Sequence, residues 1–123
     1  MRLNETPWKL DAEARRITLE TVRSVCEHRR WTLYAVHIRT THVHVVIGGE
    51  TAPERMLSDL KAYATRTLRC ALPNVQRRRY WTYHGSTRYL WNEVSLRAAV
   101  DYVLNCQGER MAHYPEKVEN NLN

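Results

Sequence analysis

The chain of 123 residues has no apolar run near the ~18 residues that a membrane span needs, which excludes a membrane-embedded helix on sequence grounds. Cysteine is scarce. Cys26, Cys70 and Cys106 are widely spaced and odd in number, so they form neither a CxxC zinc pattern nor a disulfide framework. That usage suits a reducing compartment. The opening Met1-Arg2-Leu3-Asn4-Glu5 carries no apolar signal-peptide region. A cytoplasmic location is therefore expected. Internal repeats and low-complexity segments are absent as well.

What is present is one domain's worth of chain, residues 1–123, with a polar tail over about 109–123. The hydrophobic share of 43% is enough for a globular core. Lys and Arg number 19 against 13 Asp and Glu, a formal net charge of +6, and arginine dominates the basic set. The planar guanidinium fork suits phosphate oxygens and stacks on bases, so nucleic acid is the simplest partner for such a charge. A solubilising surface is the competing reading.

Hydropathy spacing predicts a helix over 11–30, capped by Asp11 and carrying Ile17, Leu19, Val22, Val25 and Cys26 on one side. Aromatic and β-branched residues predict strands over 31–38 and 42–48, joined by Arg39-Thr40-Thr41 as an antiparallel hairpin that ends at Gly48-Gly49. A second helix runs to about residue 69. Its expected start is a capping box of Thr51 and Glu54 with Pro53 in the first turn. Its stripe is Met56, Leu57, Leu60, Tyr63, Ala64, Thr67 and Leu68, with Lys61, Arg66 and Arg69 off the apolar centre. A strand is expected within 80–91. A third helix is expected over about 95–107, capped by Ser95, buried through Leu96, Val100, Val103 and Leu104, and stopped by Gly108.

Three features carry candidate chemistry. In Thr41-His42-Val43-His44-Val45-Val46-Ile47 the period of two puts His42 and His44 on one strand face, a half-site for a divalent metal. The alternative is a polar strand face and nothing more. Tyr102 falls to one side of the buried stripe of its helix and offers its hydroxyl to something other than the core. A phenol, with a reference pKa near 10, is a poor nucleophile at neutral pH. A metal that polarises a phosphodiester would offset that weakness. Packing is the competing role for Tyr102. Between the two lies a stretch in which Arg77, Arg78, Arg79, His84 and Arg88 interleave with Tyr80, Trp81, Tyr83, Tyr89 and Trp91. Cations that track a backbone and rings that stack on bases suit single-stranded nucleic acid. Core packing of the aromatics is the other reading.

The order of His42-Val43-His44, Leu60-Lys61-Ala62-Tyr63-Ala64, the segment from Trp81 to Trp91 and Asp101-Tyr102-Val103 followed by Gln107-Gly108 resembles the single-tyrosine HUH transposases. These are the insertion-sequence and REP-associated tyrosine transposases with an IS200-like domain. The resemblance covers about residues 12–112. It implies an α+β, ferredoxin-like fold with an antiparallel sheet and helices packed mainly on one face, and a homodimer. It also implies a transposase that nicks and rejoins single-stranded, often hairpin, DNA through a 5′-phosphotyrosine. By position, Tyr102 would be the nucleophile. His42, His44 and Gln107 would bind Mg²⁺ or Mn²⁺; from their charge and surroundings, Lys61, Arg66, Arg69, Arg77, Arg78, Arg79, His84 and Arg88 are expected to touch the nucleic acid. Such enzymes exchange the tyrosine helix between subunits, so Tyr102 could act within its own subunit or across the dimer.

The chain departs from that pattern in three places. Cys106 occupies the position one helical turn after the tyrosine where Gln or Asn is usual, which moves the expected ligand to Gln107, with Asn105 and Glu50 as lesser substitutes. Thr41 stands where Asn usually precedes the first histidine. The usual first strand has no counterpart in residues 1–10. A domesticated or truncated binder of structured single-stranded nucleic acid is the alternative these departures suggest. A metal phosphodiesterase without a tyrosine adduct is a more distant one. His37 is expected to be structural or DNA-facing, and His28 and His113 to lie at the surface.

Overall fold

The computed structural model describes residues 6–81, 90 and 92–117. Along them run α1 (Ala12–Arg29), β1 (Thr32–Ile38), β2 (Val43–Gly48), α2 (Pro53–Ala71), α3 (Glu93–Asn105) and β3 (Ala112–Tyr114). The architecture is α+β, with an antiparallel sheet in the order β2-β1-β3. The strand expected within 80–91 falls mostly on residues outside those described, as do His84 and Arg88. Among the described residues no strand precedes α1, and no helix is long and apolar enough to cross a membrane.

The start of α1 follows the expectation. Asp11 is its N-cap, and its carboxylate accepts from the Ala14 N–H at 2.8 Å. The helix buries Ile17, Val22, Val25 and Cys26. Two buried threonines on the same face, Thr18 and Thr21, donate their hydroxyls to Ala14 O and Ile17 O, so no polar group is stranded there.

Strand alternation divides the core in two. Val36 and Ile38, with Val43, Val45 and Ile47, face the layer made by α1 and α2. Ala35 and Val46 face the opposite side and pack on Val103 and Leu104 of α3. The hairpin register pairs Ile38 with Val43 and His37 with His44. A bulge between Leu33 and Ala35 shifts the phase, which is why Leu33 joins the α1–α2 side despite its parity with Ala35. The two long helices thus share one face, and α3 takes the other.

Three local expectations need correction. The cap of α2 is Ala52, which contributes no side-chain hydrogen bond. Thr51 is occupied elsewhere, its hydroxyl accepting from the indole N–H of the buried Trp31 at 3.2 Å. The cap of α3 is Asn92, whose side chain accepts from Ser95 N at 2.8 Å, so the cap lies three residues before the expected Ser95. The polar tail contains β3, which pairs with Val36, His37 and Ile38 of β1 and brings His113 into the sheet. Tyr114 is held there by packing on the core and by Arg23, whose guanidinium lies 4.8 Å from the ring centre. Three residues are too few to show a period.

The hairpin's end is tightly packed. A Cβ on Gly49 would lie 2.7 Å from Met56 Cε and 2.9 Å from Trp31 Cδ1. The methionine end can move, but the buried indole cannot without disturbing the core. Gly49→Ala is therefore expected to cost about 1–3 kcal/mol, measured by urea unfolding. An unchanged midpoint would mean that Trp31 is less constrained than its burial implies.

Candidate active site on the α3 face of the sheet

His42 and His44 project to the same face, with ring centres 6.3 Å apart and planes within 10° of parallel. His42 is exposed, and its Nδ1 shares a 2.8 Å hydrogen bond with the Thr41 hydroxyl. Thr41 thereby orients the first imidazole. His44 is half-buried. Burial chiefly, then the nearby His42 and Arg39, hold its pKa below the ordinary histidine value. A neutral imidazole with a free lone pair is the form a metal requires.

The donor chemistry of these two side chains fits a divalent cation. Metal–nitrogen bonds of about 2.1 Å bring two donor nitrogens within roughly 4 Å of each other, so the parallel rings would turn toward one another on binding. Among the described residues no group of three His, Cys, Asp or Glu gathers to hold a metal. Glu50 therefore completes no such cluster. A third donor would have to be an amide or substrate oxygen.

Two further residues of β1 and its extension stand on this face. His37 is fully buried opposite His44. Its Nε2 accepts from Met111 N at 2.9 Å, which fixes the proton on Nδ1, and Nδ1 then donates to Val103 O at 3.2 Å. The role is structural: one side chain ties β1 to α3 and to the approach to β3. Arg39 donates its backbone N–H to His42 O at 2.8 Å, so it stands opposite the first histidine. By sequence Arg39 falls in the connection between the two strands. The signal was its odd parity with Ala35 and His37.

Helix α3 lies across the same face. Val103 and Leu104 are buried, whereas Tyr102 is 55% exposed, on the solvent side of the helix. Cys106 is one turn on, its N–H bonded to Tyr102 O at 3.1 Å, and its thiol is directed at Asp101 Oδ2 at 3.9 Å. Asn105 is occupied: its amide donates to Asp101 Oδ1 at 2.7 Å, and its oxygen accepts from Arg110. Gln107 is half-buried beyond the helix end, in the turn that continues to Gly108 at φ 78°. That turn lies against Arg39, whose Nη2 is 3.2 Å from where a Gly108 Cβ would stand. Gln107 is thus one residue from a side chain that faces the histidines.

Among the described residues, the expected nucleic-acid cations are not gathered around the pair. Lys61, Arg66 and Arg69 ride on α2, in the layer across the sheet. Arg66 lies 4.5 Å from the Tyr63 ring centre, and Arg69 5.4 Å from that of Tyr80. Arg77 bonds to Thr6 O and to Arg79 O, anchoring the segment before α1, while Arg78 and Arg79 are exposed. Tyr80 is a core residue, edge-on to Trp8 at 5.1 Å. Trp81 is half-buried with its indole N–H on Thr65.

A sequence profile of the family described as Transposase IS200 like matches residues 8–104. The span includes His42, His44 and Tyr102 and stops short of Gln107. Searches of curated proteins and of solved structures return no match to the chain.

Proposed function

Because the chain belongs to the IS200-like transposase family, we propose that it nicks and rejoins single-stranded DNA, hairpin DNA included, through a 5′-phosphotyrosine on Tyr102. The observation that carries this reading is the shared face. Two parallel imidazoles, with that of His44 held below its ordinary pKa by burial, lie on the side of the sheet that α3 covers, and α3 offers an exposed tyrosine. In the reaction, the Tyr102 oxygen would bond to phosphorus as the bond to the 3′ oxygen breaks, leaving a free 3′ hydroxyl. A 3′ hydroxyl attacking the same phosphorus would release the tyrosine and restore a phosphodiester. The linkage retains the bond energy, so no nucleotide cofactor is consumed. His42, His44 and Gln107 would hold Mg²⁺ or Mn²⁺, which when bound stabilises charge on the phosphate oxygens. In a homodimer the exposed Tyr102 of one protomer is available to the pair of the other.

A non-catalytic binder is the second reading. The cysteine one turn after Tyr102 and the occupied amide of Asn105 favour it. The separating experiment incubates labelled hairpin DNA with the protein and Mn²⁺, with a chelator control, and resolves the products on a denaturing gel. Covalent adduct that the chelator abolishes is the expected result. Substitution of groups that only orient a metal ligand costs 10–100-fold, so His42→Ala, which removes a ligand, is expected to lower adduct formation by at least about 100-fold while leaving most DNA affinity. Salt-dependent binding with no adduct from wild-type protein would select the binder.

A further inference from the structure

Arg39 is the arginine that the site brings forward and the family assignment leaves without a role. Its backbone bond to His42 O extends the β1–β2 ladder one pair past Ile38–Val43, so it faces His42 across the hairpin as His37 faces His44. The period of two sets Arg39 on the face of His37, His42 and His44. Its guanidinium reaches over to the turn after α3, with Nη2 beside Gly108, whose φ of 78° is one that side-chain-bearing residues rarely adopt. The charge registers on both neighbours, since Arg39 is among the causes that hold His37 and His44 below the ordinary pKa.

Two observations point to a ligand. The Nε of Arg39 is shielded from solvent and has no hydrogen-bond partner. Among the described residues the carboxylates of the ion pairs serve other arginines: Glu20, Asp59 and Glu93 pair with Arg16, Arg29, Arg55 and Arg97. A shielded donor without an acceptor opposes folding. A cation beside two metal-binding imidazoles also opposes a second cation, unless an anion arrives with it. The guanidinium edge formed by Nε and one terminal nitrogen matches two oxygens of a phosphodiester. Arg39 is half-buried as a whole, so the edge would have to turn off Gly108 to meet a phosphate.

We propose that Arg39 binds the non-bridging oxygens of a backbone phosphodiester of single-stranded DNA at the His42–His44 face, so that phosphate and divalent cation occupy the site together. This rests on the DNA-strand-processing reading above, but its test needs no cleavage. A ten-nucleotide single strand of mixed sequence is titrated in chelator into the full chain, and the ¹H–¹⁵N resonance of Arg39 Nε, assigned by its loss in Arg39→Gln, is followed. The expected result is a saturable shift of that resonance. Arg39→Gln is expected to bind the strand about 10-fold more weakly, with the slope of log affinity against log salt shallower by about 0.7, the share of one phosphate on a single strand. Arg39→Lys keeps the charge and is expected to keep the slope. It also serves as the folded comparison if Arg39→Gln unfolds. An unmoved Nε resonance, or a salt slope unchanged in folded Arg39→Gln, overturns the proposal. Loss of the slope in folded Arg39→Lys does so too. Because chelator prevents any adduct, failure of the Tyr102 chemistry leaves this readout intact.

Discussion

Tyr102→Phe is expected to abolish the covalent protein–DNA adduct outright, a fall of at least about 1,000-fold, because a phenyl ring has no oxygen to bond to phosphorus. Folding should survive the change. The ring is 55% exposed on the solvent side of α3, and surface substitutions of this kind stay within about 0.5 kcal/mol. DNA affinity should change little, because the arginines proposed to neutralise phosphate are untouched. The combination is diagnostic: adduct gone on a denaturing gel, thermal midpoint kept, and single-strand binding kept. Adduct persisting at the wild-type level would assign the nucleophile to another residue. Adduct lost together with the fold would show instead that Tyr102 carries packing that its exposure does not reveal.

The parts of this arrangement legible in the sequence are those set by short-range periodicity. His42 and His44 share a face because alternate residues of any strand do, and that needs no knowledge of the partner strand. Tyr102 lies off the buried stripe for the equivalent helical reason. The cap of α1 is readable because Asp11 bonds within its own first turn, to Ala14 N. Caps failed where a tertiary partner or a nearer competitor intervened. Thr51 was drawn to the Trp31 indole, and Asn92 reached the Ser95 N–H first. β3 was invisible because its three residues exist as a strand only through pairing with β1. His37 and Arg39 show the deepest limit. Their parity with Ala35 could be read, but the carbonyl, amide and glycine they meet belong to residues 103, 111 and 108, some 65 to 75 positions along the chain. Such contacts are a property of the docked α3, and spacing along β1 says nothing of it.

His37 is where that docking is most exposed to a single change. Truncation to alanine removes a fully buried ring and leaves Val103 O and Met111 N–H without their partner in the interior. Stranded backbone groups cost about 1–3 kcal/mol, and the void adds to this, so His37→Ala is expected to lose about 3–5 kcal/mol. Proton binding acts at the same point. Nε2 already accepts from Met111 N–H, so a proton placed there would set two donors against each other. Burial first, and then Arg39, His113 and His44, keep His37 below its ordinary pKa, with only the bond to Val103 O acting the other way. In this regime the unfolded chain takes up the proton first as pH falls. Stability is full above about pH 6.5, the reference value, and declines below it until the folded pKa is passed. His44, lowered for similar reasons, adds to the same slope. Denaturant unfolding between pH 7.5 and 5 tests this, with His37→Gln as the milder variant. The wild type should weaken on acidification, and His37→Gln should be less stable at pH 7.5 but less sensitive to acid. An equal pH slope in both would remove His37 from the account. A parallel loss of adduct in His37→Gln, with Tyr102 intact and DNA still bound, would show that the buried ring sets the position from which the tyrosine acts.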